Sequence, residues 1–161
     1  MFVTPCRGLV TLTFALLATG AHAAETDALN ALKLLQGASP RLAWEPSSAL
    51  KIDIDSDGKP DYVFLSQDAK SATVGLVMGQ KGHGVLVQTF PIGDPSQDSL
   101  CAAPAAIAKE SLDYDPTDSV GTISGFRRAK GGVGFILGGG ECDVFHFFWN
   151  ATTNKLDWWR L

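Results

Sequence analysis

Long apolar runs are scarce in these 161 residues, and the longest, Leu9 to Leu17, lies at the extreme N-terminus. Crossing a bilayer takes about 20 apolar residues, so a membrane anchor is the lesser reading of this stretch, and no membrane span is expected. Cysteine is scarce too. Cys6, Cys101 and Cys142 are the whole set, and none has the CxxC or CxxH companion that a zinc site needs. The chain lacks GxSxG, HExxH, GxGxxG and GxxxxGK, so nucleophile elbows, zincin helices and phosphate loops are excluded. Glutamate is confined to Glu25, Glu45, Glu110 and Glu141, which leaves few candidates for paired-carboxylate hydrolysis. Basic residues are outnumbered, 13 Lys and Arg against 17 Asp and Glu. That balance argues against nucleic acid or an anionic membrane as the main partner.

The N-terminus is built as a secretory signal peptide. Arg7 precedes the apolar run, Thr19-Gly20 breaks it, and Ala21-His22-Ala23 supplies small residues for the peptidase. Cleavage after Ala23 removes residues 1–23 and leaves 24–161 as a single domain of ordinary size. The expected location is periplasmic or secreted. Cys6 leaves with the signal, so Cys101 and Cys142 remain to form one structural disulfide in an oxidising compartment.

The domain reads as strand-rich α+β, an antiparallel meander with an N-terminal amphipathic helix and a C-terminal aromatic hairpin. Ala28, Leu29, Leu32 and Leu35 recur at helical spacing over Glu25–Gln36. Strands are expected over 50–54, 62–66, 73–78, 84–90, 125–128, 132–137, 142–149 and 156–160. A short helix is expected over Pro104–Leu112, a surface loop over Asp113–Ser119, and a turn or bulge at Gly138-Gly139-Gly140.

The sharpest local feature is Asp53-Ile54-Asp55-Ser56-Asp57-Gly58-Lys59-Pro60-Asp61. Carboxylates stand at loop positions 1, 3, 5 and 9, and Gly58 permits a sharp bend, as calcium loops require. Phe64 occupies position 12, where an EF-hand needs a bidentate Glu. The DxDxDGxxD pattern, followed by the apolar run Tyr62-Val63-Phe64-Leu65, instead resembles the calcium loop of FG-GAP or VCBS-type repeats. The resemblance covers about 13 residues, a single repeat, and implies calcium without implying a propeller or an adhesion role. It implies Asp53, Asp55, Asp57 and Asp61 as side-chain ligands and the Lys59 carbonyl as a further oxygen. The competing expectation is an Asp-Gly turn with no ion. Asp113, Asp115 and Asp118 lack the glycine and the spacing, and read as a solvated loop.

The C-terminal ribbon, Phe145-His146-Phe147-Phe148-Trp149 and Trp158-Trp159-Arg160, concentrates aromatics. Its ending is similar to that of small exported bacterial proteins, a likeness that implies no activity. Alternation places Phe145, Phe147 and Trp149 on one face and Val144, His146 and Phe148 on the other, with Trp158 and Trp159 opposed. Trp149, Trp158, Trp159 and Arg160 are therefore the candidate partner surface. A protein partner is expected, a glycan stacked on Trp is the second class, and a purely structural core is the competing assignment. His146 reads as a cross-strand histidine and His83 as part of a glycine-rich turn. The leading expectation is a non-enzymatic exported binding module with a structural calcium ion. An inhibitor or immunity protein against a cell-wall or membrane hydrolase comes second, and a small hydrolase third.

Overall fold

Tyr62 to Leu65 carries apolar side chains on successive residues, so a strand there must be covered on both faces. The computed structural model, which describes residues 19–79 and 84–161, supplies both covers. Strand β2, Asp61–Gln67, lies between β1, Trp44–Ile52, and β3, Ser71–Val77; β4, Val85–Pro91, completes an antiparallel sheet of order β1-β2-β3-β4. Tyr62, Phe64, Trp44 and Val77 pack with Ala31, Leu32 and Leu35 of helix α1, Thr19–Ala38. Val63, Leu65, Val74, Leu76 and Phe90 face the other way. They meet Phe135, Leu137, Phe145 and Phe147 of a second antiparallel sheet. That sheet comprises β5, Ala105–Ser111, β6, Val133–Gly139, β7, Phe145–Asn150, and β8, Lys155–Trp159, in the order β5-β6-β7-β8. Helix, sheet and sheet form three layers around two apolar clusters, a strand-rich α+β arrangement.

Close approach explains particular residues. A Cβ at Gly75 would strike Leu35 and Trp44, so glycine lets α1 lie against β3. The β1–β2 register is broken between Glu45 and Leu50, where Pro46 can donate no hydrogen bond. Ser48 repairs the gap: its hydroxyl accepts the Leu65 N–H at 2.8 Å and donates to the Glu45 carbonyl at 2.7 Å. Gln67 joins the two sheets. Its amide oxygen accepts the Ala105 N–H at 2.7 Å, and its amide nitrogen donates to the Ala105 carbonyl at 3.2 Å and to Glu45 at 3.0 Å. The Cys101–Cys142 disulfide ties the approach to β5 to the β6–β7 connection. In the chain-entropy view, closing a loop of about 40 residues contributes about 4 kcal/mol.

The expected antiparallel strands fall into two sheets of four. Several other sequence expectations are corrected. The helix expected over Pro104–Leu112 is instead strand β5. Its Ala-rich composition favours a helix locally, but seven consecutive pairings with β6 override that preference. Gly138 and Gly139 belong to β6, because side chains there would strike Val144 and the Ala102 carbonyl; Gly140, at φ 77°, makes the turn. Residues 125–128 form no strand, since Gly125 lies against the Asn150 amide where any Cβ would collide. A short helix α2, Thr117–Val120, interrupts the expected loop after Asp113. Helix α1 is longer than its apolar stripe and continues across the Ala23–Ala24 bond. Residues 1–18 and His83 lie outside the described residues.

Gln67→Ala strips hydrogen bonds from both backbone groups of Ala105, and each group left unsatisfied costs about 1–3 kcal/mol. Urea unfolding should show a lower midpoint with an unchanged slope.

Candidate functional site

The acidic loop runs from the end of β1 at Ile52 to Asp61, the first residue of β2. Ile54 turns inward, 4 % exposed, and anchors the loop in the inter-sheet core. Asp61 is buried at 1 % exposure. One of its carboxylate oxygens accepts the Ile54 N–H at 2.8 Å, and the other accepts the Gly79 N–H just beyond β3, also at 2.8 Å. Position 79 must be glycine, because a Cβ there would strike the Pro60 carbonyl oxygen. Around this staple the other carboxylates fold the backbone as Asx turns. Asp53 accepts the N–H groups of Asp57 and Gly58, each at 3.0 Å. Asp55 also accepts from Asp57 at 3.1 Å, and Asp57 accepts from Lys59 at 2.8 Å. Ser56 and Gly58 take positive φ, 60° and 83°, which closes the bend.

Carboxylate oxygens of Asp53, Asp55 and Asp61 converge to within 4.8 Å of one another. Burial pushes the Asp61 carboxyl above its usual range. The Gly79 and Ile54 N–H groups pull it back down, while the charges of Asp55 and Asp53 push it further up. A cation among the three would relieve both the burial and the repulsion. The donors are hard oxygens, the chemistry of calcium or magnesium rather than of soft metals. Each carboxylate has about four lone-pair sites, so accepting an N–H leaves capacity for an ion. Asp57 stands outside the converging trio. Its second oxygen is buried without a hydrogen bond, 4.0 Å from the largely exposed Lys59 ammonium.

The aromatic ribbon divides between the two faces of the second sheet. Phe145 and Phe147 are fully buried, and Trp149 and Trp158 pack half-buried against the inter-sheet core. The Trp158 ring lies 5.0 Å from Phe145 and 6.0 Å from Phe90. Phe148, on the opposite face, is buried edge-on against Phe126. Arg160 donates to the carbonyls of Ser99 and Gln97, at 2.6 and 3.2 Å, with its guanidinium 4.9 Å from the Phe145 ring. Trp159 stacks on His146 at 4.0 Å, nearly parallel. Each of these four candidate partner residues is thus half-buried.

Sequence reasoning missed the company of His146. Its Nδ1 lies 2.8 Å from Glu110 of β5, and Tyr114 donates to the same carboxylate oxygen at 3.1 Å. Burial, followed by the adjacent Glu110 charge, pushes the Tyr114 phenol well above its usual range. The second Glu110 oxygen is buried without a hydrogen bond, and the Trp159 ring lies 6.3 Å from that of Tyr114. Glu110 and His146 are 36 residues apart, and only the β5–β6–β7 pairing brings them together. Among the described residues, no serine, threonine or cysteine hydrogen-bonds to His146. Asp113 pairs with Arg128 at 2.8 Å, and Asp115 caps Thr117, so neither turns toward a shared centre. The chain matches no protein-family model, no curated protein and no solved structure.

Asp61→Asn replaces one carboxylate acceptor with an amide NH₂ facing an N–H donor. The expected loss is about 1.5–3 kcal/mol, in chelator as well as in calcium. The raised carboxyl also has a pH signature. The folded state holds the Asp61 proton more tightly than the unfolded state, so this residue's contribution is most favourable below the unfolded pKa of about 4 and declines as pH rises through the folded value. Unfolding in chelator across that window should show the decline in the wild type and its absence in Asp61→Asn.

Proposed function

We propose that the protein is an exported, non-enzymatic binding module whose 53–61 loop holds a structural calcium ion. The observation that carries the reading is the convergence of Asp53, Asp55 and Asp61 at the junction of β1 and β2. Asp57, outside the trio, adds a fourth carboxylate to the same loop, with one oxygen buried without a hydrogen bond. The DxDxDGxxD spacing and its likeness to an FG-GAP or VCBS-type loop support calcium over magnesium, because calcium accepts more oxygens in looser geometry. The ion's role is to neutralise a crowded acidic bend and stiffen the joint between β1, β2 and the end of β3. The disulfide and the signal-like N-terminus support export to an oxidising compartment. The half-buried ribbon of Trp149, Trp158, Trp159 and Arg160 is the surface proposed for a protein partner.

Thermal unfolding in excess calcium and in chelator tests the ion. A ligand at 100 times its Kd stabilises the folded state by about 2.7 kcal/mol, a rise of roughly 5–15 °C for a domain of this size. The shift should vanish in the Asp55→Ala, Asp57→Ala double variant. Equal midpoints in calcium and chelator for the wild type would leave the loop a plain acidic turn.

A further inference from the structure

We propose that the pocket between α1 and the end of the first sheet binds a small zwitterion of the amino-acid or short-peptide class. The pocket measures about 360 Å³, within the range of small-ligand sites. Asp27, Asn30, Ala31 and Leu34 contribute one stripe of α1, spaced i, i+3, i+4, i+7, so a single helix face forms one wall. Tyr62, Met78 and Lys59 line the rest.

Three observations point to a ligand. The first is Tyr62, a residue only 6 % exposed whose hydroxyl is buried with no hydrogen-bond partner. An unsatisfied buried hydroxyl is destabilising by about 1–3 kcal/mol. The Lys51 ammonium does not relieve it, since it sits 6.0 Å from the ring centroid, over the ring face. A polar ligand atom in the pocket would supply the missing partner. The second is charge. Asp27 makes no ion pair among the described residues, and Lys59 has only the 4.0 Å contact with Asp57, which at such exposure contributes little. The pocket therefore presents one available carboxylate and one available ammonium, complementary to a molecule carrying both charges. The third is Leu34, which is 61 % exposed although it lines this pocket. Together with the buried Met78 it offers an apolar surface for the ligand's side chain.

The inference goes beyond the calcium reading and needs no ion, although Lys59 belongs to the same loop. Calorimetric titration with leucyl-leucine, run once in calcium and once in chelator, tests it separately. Saturable binding is expected in both arms. N-acetyl-leucyl-leucine and leucyl-leucinamide, each lacking one charge, should bind about two- to fivefold more weakly, a loss of about 0.4–1 kcal/mol per exposed charge. Tyr62→Phe should weaken leucyl-leucine severalfold while the thermal midpoint holds or rises, because the unpaired hydroxyl is gone. Asp27→Asn, on the exposed side of α1, should selectively abolish the preference for the free amine, and it serves if Tyr62→Phe fails to fold. The proposal is overturned by no saturable binding up to about 10 mM, by equal affinity for the blocked dipeptides, or by binding indifferent to both substitutions.

Discussion

The carboxylate of Asp61 is the constraint on which the rest depends. It is buried at the first residue of β2, and its two oxygens take one N–H from the acidic loop and one from the residue beyond β3. Burying a charge is costly unless hydrogen bonds compensate it, and two backbone donors do so here only in part, since the carboxyl remains shifted upward. The loop cannot leave this geometry without exposing those donors or orphaning the carboxylate. Asp53 and Asp55 are therefore held beside Asp61 despite their mutual repulsion, which is the electrostatic condition that favours a cation.

The same staple shapes the far side of the sheet. Gly79, fixed by Asp61, lies against Pro60, and Lys59 with Pro60 forms one wall of the pocket beneath α1. Behind it, β2 and β3 are buried on both faces, so their positions are set by packing against helix and second sheet together. Gln67 and the disulfide tie the two sheets at other points. The acidic loop is thus anchored at Asp61 on a strand buried on both faces, which keeps its geometry defined.

Period-2 alternation and continuous apolar runs marked most strands, and the acidic loop was legible from side-chain spacing alone. What escaped was set by contacts distant in sequence. An Ala-rich segment such as 105–111 satisfies helix propensity, and only pairing with β6 makes it a strand. Gly138 and Gly139 read as a turn until the Ala102 carbonyl and Val144 show why no side chain fits there. Glu110 and His146 meet because β6 lies between their strands, and the Tyr62 hydroxyl is unpartnered because α1 covers its strand; neither leaves a local pattern. The ribbon's alternation was readable at Phe145 and Phe147. The fate of Arg160, folded onto the Ser99 and Gln97 carbonyls, was not.

An amide NMR titration with calcium tests most directly whether 53–61 is a preorganised cation loop stapled by Asp61. Saturable shifts are expected on the amides of residues 53–61 and Gly79, with the same amides perturbed by Asp61→Asn before any calcium is added. Shifts scattered over the acidic surface, or none in the loop at saturating calcium, would contradict it.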